Sequence, residues 1–513
     1  MPPLSHTVIN VPIKPLDVGQ LLIRARPTSG VGNSESDGYL SATSHIQQEG
    51  YEISKSTVVM VDLTTRPYFV DNLPVPIPPG YNGTNVLTLT EGIVGPIVPT
   101  IPFNISGILG HPEVWYFAKI RQSLVMESLQ LQVTADEAIF VIGSLLHYRR
   151  HPISRLNSDQ SLKNTLSLAY QRLLSHQSPK GAFSFCQDIP STFLTASALD
   201  VLQRLHSFYN WPLVDGLVIG KTLNWLLAQQ SHDGSFTEKY VFDGIYQRKI
   251  PIEFQEIALT SHVLISISGL DTSFNVSRIL AQSTEFLKSR LEVLDKSGTS
   301  LDIALVARAL QVAQSDGAEA AFEILAKNRH ENGSMSYWGH EDECDESLSV
   351  RSTALALMVY VDRGEFLTEA IVKWLNSRRL SSSGWGSTID TLLATEALAL
   401  WAAKHSQEFN NIEGGVAIEV DTQQGRRNIV VAEAKAFEDE LNNVISLSPT
   451  RSIDVEAKGR GLALVQLTLK FYTTSSSLIS TENPVKAFNL EPRIEFRTSH
   501  NNVMELLVLS CLR

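Results

Sequence analysis

Apolar and polar residues alternate in the first part of this chain and then stop alternating. "HTVINVPIKPL" and "GQLLIRARP" alternate apolar and polar stretches, and "YEISKSTVVMVDL" is rich in β-branched residues. Both patterns predict strands, separated by Pro- and Gly-rich turns such as "PVPIPPGYNG". From about residue 112 to 408 the pattern takes on the period of a helix. From about residue 412 strands return, in "GVAIEVDT", "RNIVVAEA", "SIDVEAKGRGLALVQLTLKFY", "PRIEFRT" and "VMELLVLSC". A helical block between two β segments fits three domains in series. It also fits one β domain whose chain is interrupted by an inserted helical domain.

Within the helical block one device recurs. "GAFSF" at Gly181, "DGSFTE" at Asp233, "NGSMSYW" at Asn332 and "GWGST" at Gly384 are short loops pairing glycine with an aromatic residue. Each follows an amphipathic helix ("SLKNTLSLAYQRLLSHQ", "GKTLNWLLAQQ", "AEAAFEILAKNR", "TEAIVKWLNSRR"). Each precedes a helix that is apolar nearly all round ("TFLTASALDVLQRL", "ALTSHVLISI", "SVRSTALALMVYV", "TLLATEALALWAA"). A further pair, "SRILAQSTEFLKSRL" and "LDIALVARALQVA", is joined by "DKSGTS" without the aromatic. Helices apolar on every face belong in an interior. Half-buried helices leading through Gly turns to buried ones predict a double-layered ring, an α/α toroid, because closure removes the exposed ends an open stack must cap. In "GWGSTID", Ser387 and Asp390 predict a capping box at the start of the last buried helix.

Composition narrows the function. The 513 residues are 43% apolar and 19% charged, which supports large cores. The net charge of −12, without a long basic run, argues against nucleic acid. No apolar run reaches the roughly eighteen residues of a membrane span. The opening "MPPLSHTVINVPIKP" has neither the basic nor the apolar region of a signal peptide, so the protein is either cytosolic or part of something longer. The three cysteines, Cys186, Cys344 and Cys511, leave at least one without an internal partner. Asn-x-Ser/Thr sequons, candidates for glycosylation, fall at Asn82, Asn104, Asn275 and Asn332.

Two protein classes build such rings. The first is the prenyltransferase and terpene-cyclase group, whose protein-prenylating members hold zinc with Asp, Cys and His. Asp342, Cys344 and His405 are the corresponding candidates for an isoprenoid-binding enzyme. In that group, however, the Cys sits inside the Gly-aromatic loop, whereas Cys344 follows it in the acidic run "HEDECDES". The second class accounts for more of the chain. "TLNWLLAQQSHDGSF" with "ALTSHVLISI", and "IVKWLNSRRLSSSGWGSTIDTLLATEALA", resemble the thioester domain of the alpha-macroglobulin and complement family. "NVPIKPLDVGQLLIRARP", "SIDVEAKGRGLALVQLTLKFY" and "FNLEPRIEF…MELLVLSCLR" resemble the stretches around that domain.

The resemblance implies a division of the chain. Residues 1–30 would end a macroglobulin-type β domain, and 31–110 would form the first part of a CUB-like β-sandwich. Residues 111–408 would be the thioester-domain-like toroid, 409–475 the second part of the CUB-like domain, and 476–513 a truncated receptor-binding domain. Within the family the chain is most similar to the insect macroglobulin-complement-related proteins, which lack the thioester. That group implies an extracellular, non-enzymatic role without a cofactor. Protein or cell-surface ligands would be bound in innate immune recognition or septate-junction adhesion. A protease-inhibitor fragment is the remaining alternative.

The family's chemistry needs a Gly-Cys-Gly-Glu-Gln motif, whose Cys and Gln form an internal thioester open to attack by hydroxyls or amines. None of the three cysteines is followed by Gly-Glu-Gln, and the matching region, "GILGHPEVWYFAKIRQSLVMESLQ", has Gln122 but no Cys. The family's transfer-promoting His would fall near Tyr246, and no His occurs between His232 and His262. A phenol is a poor base at neutral pH. Catalytic residues are therefore expected to be absent. His147 and His151, at i and i+4, lack a third ligand, and the run Glu341 to Glu346 lacks the spacing of an EF-hand loop. Trp225, Trp374, Trp385 and Trp401 are expected to pack in cores.

Overall fold

In a computed structural model of the chain the helical block is described over residues 160–184, 190–209, 214–238, 252–270, 276–339, 346–380 and 384–410, with short stretches at 138–139 and 142–143. The flanking segments are described over 19–25, 40–46, 51–63, 66–74, 103–107, 416–422, 425–431, 452–460, 462–473, 488–494 and 506–512. The chain divides into two compact units. One comprises Met1–Ser54, Ile77–Thr100 and Lys470–Pro484, the other Lys55–Pro76, Ile101–Leu469 and Val485–Arg513.

In the first unit β1 (Gly19–Ala25) pairs antiparallel with β2 (Leu40–Ile46). The remaining strands are β3 (Tyr51–Asp62), β4 (Tyr68–Pro74), β5 (Phe103–Gly107), β8 (Val416–Thr422), β9 (Gly425–Val431), β10 (Ser452–Gly459), β11 (Leu462–Thr473), β12 (Phe488–Ile494) and β13 (Leu506–Leu512), with a small hairpin, β6 (His330–Asn332) and β7 (Met335–Tyr337), inside the helical block. Two sheets mix strands from before and after the helices, in the orders β4-β10-β8-β9 and β3-β11-β5. β10 pairs with β4 (Val455 opposite Asp71) and with β8 (Val455 opposite Val420), both antiparallel. Alternation explains why it is central: Ile453, Val455 and Ala457 are buried while Asp454 is exposed. The two β segments of the sequence thus share sheets, as an insertion requires. β12 and β13 form a separate hairpin.

The helices are α1 (Gln160–Ser175), α2 (Thr192–Tyr209), α3 (Gly216–Leu227), α4 (Ile252–Ser268), α5 (Ser277–Ser289), α6 (Leu291–Ser297), α7 (Ser300–Val312), α8 (Ala318–Lys327), α9 (Glu346–Arg363), α10 (Thr368–Ser377) and α11 (Thr388–Asn410). The apolar helices neighbour one another in the order α2, α4, α7, α9, α11, while α3, α5, α8 and α10 pack outside them. Between α11 and α2 the succession closes. Arg204 of α2 meets Glu396 of α11 at 2.9 Å, and Gly143 lies against both Leu392 and Val201. α4 shows why an inner helix is apolar all round. Ile257 and Leu264 enter one core cluster, and Leu259, Val263 and Ile267 the other. Val58 and Met60 of β3 join the first of these clusters, so this strand packs on the helices.

The pair without an aromatic is built differently from its sequence pattern. The helix breaks at Arg290, giving the extra α6, and α7 opens on a capping box between Thr299 and Asp302. At α11, Ser387 Oγ accepts the Asp390 N–H at 3.2 Å, as its N-cap role requires. The Asp390 carboxylate is taken by Arg351 Nε of α9 at 2.5 Å.

The Gly-aromatic loops explain how the layers are fastened. Ser178 N–H donates to the Ala182 carbonyl, Ser231 to Ser235 and Leu380 to Gly384, so the loops turn alike and the aromatic follows one residue later. Gly181 and Gly234 have φ of +100° and +92°. Their bare Cα atoms press on the next outer helix: an added Cβ would lie 2.3 Å from the Lys221 carbonyl oxygen of α3 and 2.4 Å from that of Gln282 on α5. Beside each contact a glutamine reaches across, Gln177 Nε2 to Thr222 Oγ1 (2.8 Å) and Gln230 Nε2 to Ser283 Oγ (2.9 Å). Only glycine combines that backbone with that approach.

Gly181→Ala and Gly234→Ala should each destabilise the fold by about 2–5 kcal/mol, through left-handed backbone strain and overlap with a helix carbonyl. Gly220→Ala, inside α3 with nothing within 4 Å of the new Cβ, should instead stabilise by about 0.5–1 kcal/mol. Urea unfolding midpoints compare the three. Equal effects at Gly181 and Gly220 would discard the docking argument.

Candidate functional site

Each inner helix behind an aromatic loop carries a threonine that receives the loop. The Phe183 N–H donates to Thr195 Oγ1 at 2.9 Å and the Phe236 N–H to Thr260 Oγ1 at 2.9 Å. The Trp338 N–H donates to Thr353 Oγ1 at 3.0 Å and the Trp385 N–H to Thr391 Oγ1 at 3.1 Å. The indoles add a second tie. Trp338 Nε1 donates to the Leu325 carbonyl (2.7 Å) and Trp385 Nε1 to the Leu375 carbonyl (2.9 Å), capping the ends of α8 and α10.

At the end of the ring made by these loops, polar groups gather around the start of α2. There the Glu238 carboxylate lies across the start of α2. It accepts from Thr192 N–H (2.9 Å), Phe193 N–H (3.0 Å) and Ser191 Oγ (3.1 Å). Burial pushes its pKa up, and these donors pull it back. A carboxylate at a helix N-terminus satisfies orphan donors and complements the helix dipole.

A second set of polar groups lines the inner face of α2. Phe193, Ser197, Asp200 and Arg204 form one partly exposed stripe at helical spacing. Ser197 reaches α4 and Arg204 reaches α11, so the stripe faces the axis of the ring. His262 of α4 stacks on Phe193 with ring centroids 4.4 Å apart, and its Nε2 lies 2.9 Å from Ser197 Oγ. Desolvation lowers the His262 pKa to about 4, against a weaker opposing pull from the Phe193 backbone. The ring is therefore neutral at pH 7. Further along, Arg204 binds Asp200 through Nε and Nη2, both at 2.9 Å, and Glu396 through Nη1. Burial pushes the Asp200 carboxyl up while Arg204 pulls it down and Glu396 adds to the rise. Burial alone would lower the Arg204 pKa, but the two carboxylates outweigh it. Arg308–Asp362 and Arg351–Asp390 similarly join α7 to α9 and α9 to α11. These are clasps between inner helices, made by protein groups on both sides.

Many of the positions singled out in the sequence lie outside the described residues. Tyr246 lies outside the described residues, in the stretch that leaves Glu238 and returns at α4. Asp342 and Cys344 also lie outside them, while His405 is on α11. Gln122, His147, His151, Cys186, Asn82 and Asn275 are outside the described residues as well. Cys511 stands opposite Asn489 on β13, and Asn104 opposite Gln466 on β5. Asn332 is exposed at the end of β6. Trp374, Trp385 and Trp401 are buried in one core, and Trp225 packs against the other. Among the described residues, no group of three or more His, Cys, Asp or Glu is placed to hold a metal ion. Sequence reasoning missed Ser197, Asp200, Arg204, His262 and Glu396. The legible signal was the polar stripe at 197, 200 and 204 on a largely apolar helix.

Comparison with known proteins agrees with the ring. The description "A-macroglobulin TED domain" matches residues 139–401. The chain is 24% identical to Complement C3 of Lethenteron camtschaticum over 340 residues, which cover 64% of this chain and 20% of that protein. It is 22% identical to Complement C3 of Oncorhynchus mykiss over 533 residues, covering 99% of this chain and 30% of that protein. Ovostatin of Gallus gallus is 26% identical over 331 residues, covering 59% of this chain and 21% of that protein. The chain thus spans between 20% and 30% of the length of these relatives. With a matched domain that takes in the whole run of helices from residue 139 to the middle of α11, this chain belongs to the alpha-macroglobulin family and carries that family's TED domain.

Proposed function

We propose that the chain is a thioester-deficient, extracellular member of this family that acts by non-covalent binding to protein or cell-surface ligands. The observation that carries the reading is chemical. A TED domain is matched, yet Cys186 is followed by Gln187, Cys344 by Asp345 and Cys511 by Leu512, so no Gly-Cys-Gly-Glu-Gln sequence exists to supply the thioester. Innate immune recognition or septate-junction adhesion would use such a binder. Strands β3 to β5 and β8 to β11 would form the CUB-type unit that bears the ring. Family membership favours this reading over an isoprenoid enzyme or a protease-inhibitor fragment.

The Ser197–His262 pair does not replace the missing group. Ser197 Oγ donates to the Phe193 carbonyl at 3.1 Å, so its proton is committed within α2. His262 Nε2 is then the donor in its 2.9 Å contact with Ser197, the reverse of a base activating a nucleophile. An imidazole with a pKa of about 4 is also a weak base at neutral pH.

Incubation with labelled methylamine should give no incorporation, and heating in denaturant should give no site-specific chain cleavage. Either event would reveal an activated acyl group and overturn the proposal. Protein captured on cells should elute completely in denaturant without a residual adduct.

His262 makes stability depend on pH. Its folded pKa lies below the 6.5 of the free side chain, so the unfolded chain binds the proton first. Stability is then complete above pH 6.5 and falls as pH drops toward 4, by about 3 kcal/mol at the bottom of that window. Unfolding midpoints measured from pH 7.5 to 4 should show this slope, and His262→Gln should flatten it. An unchanged slope in the variant would assign the effect elsewhere.

A further inference from the structure

The tip of the β6–β7 hairpin is an Asn-x-Ser sequence, Asn332-Gly333-Ser334. Asn332 pairs with Met335, so the turn consists of Gly333 and Ser334 alone. Gly333 has φ of +60° and Ser334 a negative φ, which is the form of a type II′ hairpin turn. Asn332, Gly333 and Ser334 are all exposed, and a Cβ placed on Gly333 would meet nothing within 4 Å. The base of the hairpin is anchored. Tyr337 is buried and stacks on Trp374 of α10 (5.1 Å, 7°), and the Trp338 N–H is held by Thr353. The tip is therefore held out in solvent by a fixed base.

We propose that Asn332 is an N-glycosylation site. The inference rests on the extracellular reading, because the co-reactant, an oligosaccharide carried on a polyisoprenyl diphosphate, belongs to the secretory route. In the transfer, Asn332 Nδ2 forms a bond to the anomeric carbon of the sugar as the bond from that carbon to the diphosphate oxygen breaks. One amide proton passes to a base of the transferase, and the lipid diphosphate leaves. Ser334 supplies the hydroxyl that completes the acceptor sequence. The other sequons differ: Asn104 lies within β5, paired to Gln466 of β11, and Asn82 and Asn275 are outside the described residues. Asn332 is thus an exposed residue at a two-residue turn, whereas Asn104 sits within a paired strand.

The test is peptide mapping of the full chain secreted from animal cells behind a supplied signal sequence. Treatment with an N-glycosidase in heavy-oxygen water separates enzymatic release from spontaneous deamidation, to which an exposed Asn-Gly turn is prone. The peptide containing Asn332 should take up heavy oxygen, with a shift of the intact protein to faster migration. Asn332→Gln and Ser334→Ala should each abolish that label. A secreted wild-type chain whose Asn332 peptide is unmodified overturns the inference, whether or not the variants are secreted. Fractionation of the native protein tests the underlying reading separately. Recovery from cytosol alone would sink the extracellular assignment, while the mapping would still decide whether Asn332 is a competent acceptor.

Discussion

The ring rests on one repeated hydrogen bond, from the backbone N–H of a loop aromatic to a threonine hydroxyl on the helix that follows. Burying the aromatic also buries its N–H, and an unpartnered buried donor costs about 1–3 kcal/mol. Threonine suits the acceptor role because its own proton is already placed. Thr195 Oγ1 donates to the Ser191 carbonyl (2.6 Å) and Thr391 Oγ1 to the Ser387 carbonyl (2.8 Å). The hydroxyl rotor is thereby fixed with its lone pairs toward the loop. The loop end of each inner helix is thus set by a bond that also sets the depth of the aromatic plug. In the first two loops, once the plug is seated, Gly181 and Gly234 meet the next outer helix, so there one contact fixes three elements.

Much of this was legible in the sequence, and its limits have a physical cause. The paired helices and the Gly-aromatic turns follow from local pattern, since period and turn chemistry are local properties, whereas pattern alone left three serial domains and an insertion both open. The threonines were not read, because their distance from the aromatic is not fixed: 12, 24, 15 and 6 residues separate the partners. A motif with a variable gap leaves no periodic trace. The clasps on the ring axis were missed for a related reason. Arg204 and Glu396 lie on the first and last fully described inner helices and meet only because the ring closes. The box at Ser387 was half legible: the cap is local, while the Arg351 that takes the Asp390 carboxylate comes from the preceding inner helix.

The axis of the ring illustrates how polar groups survive inside an apolar assembly. Arg204 holds Asp200 from its own helix and Glu396 from another, so its buried charge is met by two carboxylates in bidentate and single contacts. Such groups add specificity of register more than stability, since desolvation offsets much of their attraction. Their distribution supports that view. Polar clasps tie α2 to α4, α7 to α9, α9 to α11 and α11 to α2. They select which face of each helix turns to the axis, where hydrophobic packing by itself would leave a helix apolar on every side free to rotate.

This division of labour bears on the proposed reading of the chain as a thioester-deficient member of its family. The interactions that fix the described ring are threonine hydroxyls, glycine–carbonyl contacts, tryptophan N–H caps and arginine clasps. None of them uses a cysteine. On the proposed reading, the missing Cys–Gln bond removes a reactive group without removing any of these fastenings. On that reading, a ring held this way keeps its binding surface without a thioester, because the fastenings and the reactive group are separate sets of residues.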